Sequence, residues 1–141
     1  MSDKVFIDTN IWIYLYSQDS DKKNKAETLI SNEFDNIILS TQILNEIYNV
    51  LSKKIKINHP QIKEIIMETI ANFEVSDIGA LDVVKAMDIK DKYNFSYWDS
   101  LIIVSALENG CTILYSEDMQ NQQMIENVLR IENPFIHNKK C

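Results

Sequence analysis

Val5-Phe6-Ile7-Asp8-Thr9-Asn10 decides how the chain is read. Three large apolar residues run without a break into an acid, a hydroxyl and an amide. An unbroken apolar run of this kind marks a strand buried on both faces, as strands of parallel sheets are. Its carboxyl end then delivers Asp8 to the edge where open α/β sheets bind ligands. The polar break at Asp8-Thr9-Asn10 stops the strand, and Ile11 to Tyr16 reads as a short helix starting near Asn10.

Outward from this stretch, helices and strands alternate. Asp21 to Glu33 reads as a helix, Ile37 to Ser40 as a second short buried strand, and Thr41 to about Lys54 as a helix of regular period. Asn58-His59-Pro60 is a helix start, a capping residue followed by proline in the first turn. Ile62, Ile65, Ile66, Thr69, Ile70 and Phe73 follow at amphipathic spacing. Phe73 to Ser76 is a candidate third strand, and Asp77 is placed to cap a helix with Ala80, Val84 and Met87 inward. Ser96 opens the most apolar helix, which runs through Trp98, Leu101, Ile102, Ile103 and Val104 and ends at Asn109-Gly110. Thr112 to Ser116 is a strand leading straight into Glu117-Asp118, and Val128 to Glu132 is a last short one. Strands alternating with helices imply a parallel sheet covered on both faces.

Gly and Pro number two each, so no linker divides the 141 residues, and the chain reads as one domain. No apolar run reaches the length of a membrane span. Met1-Ser2-Asp3-Lys4 lacks an export leader, which makes the cytoplasm the expected compartment. Cys111 reads as buried and apolar, Cys141 as part of a loose tail over about 134–141, and two cysteines build no zinc site. His59 and His137 make no ligand spacing.

The formal charge is −7, and among 14 basic residues Arg130 is the single arginine. Affinity for phosphate normally comes from Lys and Arg, so this balance sits awkwardly with nucleic acid. Acids gathered at a metal site would contribute to the negative total. Lys22, Lys23 and Lys25, and Lys53, Lys54 and Lys56, form local basic clusters whose plainest use is a solvated helix face.

Four acids carry the chemical reading: Asp8, Glu46, Asp99 and Asp118. Each has an ordinary alternative. Asp8 and Asp118 stand where helix caps are common. Asp99 completes Ser96-x-x-Asp99, the pattern of a capping box. Glu46 lies on the face of Ile43 and Val50, where a carboxylate is costly without a cation, and Lys53 or Lys54 is a possible salt-bridge partner. Taken together they share one logic. Carboxylates crowded in a low-dielectric crevice repel one another, and their pKa values rise unless positive charge arrives. Helix N-termini supply part of it. A hard divalent ion held by oxygen ligands and water, Mg2+ or Mn2+, supplies the rest and activates water for attack on a phosphodiester. One or two ions are equally compatible with the pattern, and Glu117 is the nearest substitute for Asp118.

The ordered set Val5-Phe6-Ile7-Asp8-Thr9-Asn10, Glu46, Tyr97-Trp98-Asp99-Ser100-Leu101-Ile102 and Leu114-Tyr115-Ser116-Glu117-Asp118 resembles the PIN domain family, and within it the VapC-like toxin ribonucleases. The resemblance spans nearly the whole chain. It implies a three-layer α/β fold with a central parallel sheet of about four to five short strands. It also implies Mg2+- or Mn2+-dependent endoribonuclease activity on tRNA or ribosomal RNA, a homodimer, and a small antitoxin protein partner. By residue it carries Asp8, Glu46, Asp99 and Asp118 over as metal ligands, and Thr9, Asn10 and Ser116 as supporting polar groups. Trp98 and Tyr97 flank Asp99; either ring can stack on a base, while core or interface packing is the commoner use of Trp98.

Two other readings compete. Phosphotransfer enzymes with a strand-end Asp nucleophile use a second Asp two residues on, where this chain has Asn10. A non-catalytic, receiver-like or degenerate PIN module would bind metal or partners without turning over RNA.

Overall fold

The structure, a computed structural model, describes residues 3–136. The chain runs β1 (Lys4–Ile7), α1 (Thr9–Tyr14), α2 (Ser20–Asn32), a 3-10 turn at Phe34–Asn36, β2 (Ile37–Ser40), α3 (Thr41–Lys53), α4 (His59–Asn72), β3 (Glu74–Ser76), α5 (Ala80–Tyr93), α6 (Tyr97–Glu108), β4 (Cys111–Tyr115), β5 (Met124–Ile125) and β6 (Leu129–Glu132). The six strands form one sheet in the order β3-β2-β1-β4-β6-β5. Every pairing is parallel except the β5–β6 hairpin. This is the α/β architecture read from the sequence, with six strands where four to five were expected.

The strand order has a consequence for function. From β1 the chain winds outward through β2 and β3, then returns to lay β4 on the other side of β1. The β1–β4 border is therefore the point where the winding reverses, and open α/β sheets leave a crevice beyond the strand ends there. Ile7 pairs with Tyr115 in the ladder. The residues that follow, Asp8 and Ser116, are thereby set side by side.

Val5, Phe6 and Ile7 are all buried, as a strand covered on both faces requires. The helix α1 packs against both α2 and α3, and α3 against α4, while α5 packs on α6 and α6 lies against β4 and β2. The core joins Phe6, Ile7 and Leu114 of the sheet to Ile11, Ile43, Ile47 and Ile103 of the helices. Trp12 sits inside it, 4% exposed, and its indole N–H donates to the Ile7 carbonyl at 3.0 Å. The helix α6 buries seven consecutive residues from Ser100 to Ala106, as its nearly all-round apolar sequence demands.

Three expectations about faces are corrected. On α5 the buried residues are Ala86 and Ile89, whereas Val84 and Met87 are 53% and 59% exposed, and Ala80 is exposed too. Apolar residues occur at helical spacing on both sides of this helix, and only packing against α6 chooses between them. The cap of α5 is Gly79, whose backbone N–H donates to Asp82 at 2.8 Å, and not Asp77. Ile70 of α4 faces outward. Trp98 is 63% exposed, which excludes core packing for its indole. Of the tail expected over 134–141, Phe135 packs edge-on against Tyr14 at 5.1 Å. Residues 137–141, with His137 and Cys141, lie outside the described residues.

Candidate active site

Asp8 is the innermost of the acids. It leaves β1 as the N-cap of α1, with Oδ1 accepting from the Thr9 backbone N–H at 2.7 Å. Its Oδ2 accepts from the Ser116 hydroxyl at 2.9 Å, the contact set by the β1–β4 register. The residue is 7% exposed. Burial pushes its pKa up to about 6; the Ser116 and Thr9 hydrogen bonds oppose that rise, and the charges of Glu46 and Asp99 add to it.

Glu46 reaches the same place from α3. Its Oε1 accepts from the Thr9 hydroxyl at 2.5 Å and its Oε2 from the Gln42 amide at 3.0 Å. Gln42 stands one helical turn earlier, so its side chain and that of Glu46 meet on one face. The same Gln42 nitrogen donates to the Trp98 carbonyl at 3.1 Å, tying α3 to the first turn of α6. Neither Lys53 nor Lys54 pairs with Glu46.

Asp99 lies in the first turn of α6. Ser96 caps that helix, its hydroxyl accepting from the Asp99 backbone N–H at 3.0 Å. Among the described residues no backbone N–H donates to the Asp99 carboxylate, so the reciprocal half of a capping box is not made. Its pKa is raised, by burial first and then by Asp118 and Glu46, against the Ser96 hydrogen bond. Asp118, past the end of β4, accepts from the Asn10 amide at 2.6 Å.

Electrostatic coupling therefore links Asp8 to Glu46 and Asp99, and Asp99 to Glu46 and Asp118. Four acids from four separate segments share one crevice. Among the described residues none of them has a basic partner. Glu117, the substitute considered for Asp118, is turned elsewhere: it is ion-paired to Lys22 and accepts from the Tyr14 hydroxyl. Lys22 in turn sits over the rings of Tyr14 and Phe135, at 4.9 and 4.4 Å from their centroids. This clamp holds Glu117 away from the crevice. Its parts are spread over three segments, and only Lys22 stood out in the sequence, as one of a basic cluster. Gln42 was missed as well, although its place four residues before Glu46 was a usable signal.

Among the described residues no three acidic, histidine or cysteine side chains come together closely enough to hold a metal ion by themselves. The donor set is nonetheless the one a hard cation wants: carboxylates and hydroxyls, a buried acid with a raised pKa, and no competing Lys or Arg. Mg2+ is commonly held by one or two carboxylates and several waters, which an open crevice permits. The residues fit such an ion.

Ser116→Ala tests the electrostatic account. Removing the hydroxyl leaves a buried carboxylate oxygen without its donor, at a cost of about 1–3 kcal/mol. The loss should be larger at pH 7, where Asp8 is ionised, than at pH 4, where it is protonated. Denaturant melts at the two pH values check this; equal losses would assign Ser116 to packing alone.

An open, mainly parallel sheet with an acid crevice at its switch point places the chain among the α/β proteins whose sites lie beyond the strand ends. The PIN domain model matches residues 5–124, and the chain belongs to the PIN domain family, a family whose members are generally nucleases that use divalent metal ions. Solved structures share the fold. The chain is 16% identical to the VapC20 toxin of Mycobacterium tuberculosis, a sarcin–ricin-loop-cleaving toxin, covering 82% of this chain and 90% of that one at a TM-score of 0.69. A toxin–antitoxin complex from Klebsiella pneumoniae aligns at 15% identity over 94% and 98% of the two chains, with a TM-score of 0.72. VapBC2 of Rickettsia felis, solved bound to a promoter DNA fragment, aligns at 21% identity over 92% and 97%, with a TM-score of 0.65. At such identities the likeness is one of fold. No curated protein matches the chain. No helix among the described residues is long and apolar enough to cross a membrane.

Proposed function

We propose that this chain is a Mg2+- or Mn2+-dependent endoribonuclease and the toxin of a toxin–antitoxin pair. The observation that carries the proposal is the gathering of Asp8, Glu46, Asp99 and Asp118 without a cation of the protein's own. In this reading Asp8, Glu46, Asp99 and Asp118 are the ligand carboxylates, with waters completing the shell of the ion. Bound there, a divalent ion supplies the missing positive charge and lowers the pKa of a coordinated water. The Ser116 hydroxyl and the Thr9 N–H keep the Asp8 carboxylate oriented. The Thr9 hydroxyl and Gln42 fix Glu46, and Asn10 fixes Asp118. Holding the acids in place before substrate arrives spares the transition state that reorganisation.

RNA as substrate, tRNA or ribosomal RNA in particular, is supported by the fold shared with a toxin that cleaves the sarcin–ricin loop. An antitoxin partner is supported by the relatives solved as toxin–antitoxin complexes. A homodimer belongs to the same proposal.

The test is purified protein incubated with a mixed RNA pool, with and without Mg2+ or Mn2+, beside a metal-binding assay. Cleavage is expected only with the ion. In parallel, Mn2+ at 100 times its dissociation constant should stabilise the fold by about 2.7 kcal/mol, read as a rise in melting temperature that EDTA abolishes. Ion-independent cleavage together with an unmoved melting temperature would remove the proposal.

A further inference from the structure

The acid crevice does not end at Glu46. A cavity of about 540 Å³ continues from it between α3 and the first turn of α6, within the size range of small-molecule sites. Gln42, Asn45, Glu46 and Asn49 line one wall, Trp98 and Leu101 the other. Three properties of this wall pairing point to one kind of occupant.

The first is the indole. Trp98 is 63% exposed although it stands in the most apolar helix of the chain. Its ring meets Tyr97 edge-on at 5.1 Å. A large flat apolar surface is thus left facing solvent, one residue from Asp99. The second is the choice of polar groups opposite. Gln42, Asn45 and Asn49 recur at helical spacing and present carboxamides, which both donate and accept. Among the described residues the exposed side chains of Asn45 and Asn49 make no hydrogen bond, whereas Gln42 is buried at the inner end of the row with its amide nitrogen held by Glu46 and the Trp98 carbonyl. Neutral amides facing an aromatic plane suit the edge and face of a nucleobase. They do not suit a phosphate, which Glu46 in the same wall would repel. The third is what lies beyond. Lys53 follows Asn49 by one turn and Glu46 by two, about 10 Å along the helix axis. Among the described residues Lys53, Lys54 and Lys56 form no ion pair.

We infer that this cavity is a nucleobase subsite, which takes one unpaired base of a single-stranded RNA between Trp98 and the carboxamides while the adjoining backbone runs from the acid crevice toward Lys53. The inference rests on the nuclease reading for the identity of the polymer, and its geometry stands apart from the metal chemistry. It also accounts for the charge balance. A chain with formal charge −7 and one arginine holds its substrate by stacking and amide contacts, with lysine confined to the far end.

The chain carries its own probe. It has two tryptophans, and Trp12 is buried with its N–H bonded, so Trp98 is the one that solvent quenchers reach. The experiment uses full-length Asp8→Asn protein, which binds without cutting, titrated with an unstructured eight-nucleotide RNA and with the same sequence as a duplex. Saturable quenching of Trp98 by the single strand, several-fold weaker with the duplex, is expected. Trp98→Ala should weaken binding roughly 5- to 100-fold, the range of base stacking on an aromatic ring, and Trp98→Phe should restore most of it. Asn45→Ala and Asn49→Ala should change which base is preferred. In the active protein Trp98→Ala should raise KM more than it lowers kcat.

Acrylamide access to Trp98 unchanged at saturating RNA, with Trp98→Ala binding and cutting like its parent, would overturn the subsite and leave the nuclease reading intact. Shielding of Trp98 that depends on protein concentration alone would overturn it in favour of a contact between copies. Quenching by RNA in a protein that never cuts RNA would keep the subsite and end the nuclease reading.

Discussion

Asp8→Asn is expected to lower metal-dependent RNA cleavage by at least ~100-fold while making the metal-free protein more stable. The activity loss exceeds the 10- to 100-fold typical of groups one step removed from a metal, because in the proposed site Asp8 touches the ion itself. The stability gain follows from the sign of the pKa shift. The group ionises near its ordinary value of 3.8 in the unfolded chain and at about 6 in the folded one. Between those values the folded state keeps a proton that the unfolded state has lost, so stability falls as pH rises through the interval. The difference amounts to roughly 3 kcal/mol once Asp8 is ionised. Asparagine removes the charge and still caps α1. Thermal melts in EDTA at pH 4 and pH 7 should show wild type losing stability with pH at this group and the variant not. With Mn2+ the order should reverse, since only wild type keeps its ligand. A variant clearly less stable than wild type in EDTA would mean that the carboxylate is there for structure.

Asp99→Ala and Ser96→Ala form the second test, because the two residues share a helix start and differ in role. The Ser96 hydroxyl accepts from the Asp99 backbone N–H, whereas the Asp99 carboxylate receives no backbone N–H among the described residues and is coupled to Asp118 and Glu46. Ser96→Ala should therefore cost about 1 kcal/mol of stability, the usual worth of a lost cap, and leave most of the activity. Asp99→Ala should abolish cleavage and leave stability unchanged or raised, since it relieves repulsion with Asp118 and Glu46. Paired melts and cleavage assays on the two variants decide the matter. If Asp99→Ala instead melted like a lost cap and kept its activity, the capping box would be the right account of Ser96-x-x-Asp99.

The charge arrangement also explains why the clamp around Glu117 matters. Glu117 and Asp118 are adjacent in sequence and chemically alike, and nothing local separates them. The Lys22 ammonium, itself seated over the Phe135 ring, and the Tyr14 hydroxyl draw Glu117 to one side of the strand end. Asp118 is left to Asn10 and the crevice. Two neighbouring acids thus have different surroundings for a reason that lies about a hundred residues away in the chain.

The sequence by itself determined the elements whose signals are local. The apolar run at Val5-Phe6-Ile7 could be buried only as a doubly covered strand, and Asn58-His59-Pro60, Ser96 and Asn109-Gly110 punctuated helices through backbone preferences that need no distant partner. The order of acids after strands was legible for the same reason. Tertiary structure alone decided which of two apolar faces α5 buries, because Val84 and Met87 alternate with Ala86 and Ile89 and only contact with α6 breaks the tie. It alone decided that Trp98 faces outward. It also made the two-residue strand β5, whose hairpin turns through Glu126 and Asn127 at positive φ with the Glu126 carboxylate held by Lys92 and Tyr93. The ladder register that sets Ser116 beside Asp8 is likewise a property of the assembled sheet. Local signals act over a turn or two of chain, whereas a crevice exists only where strands distant in sequence end side by side.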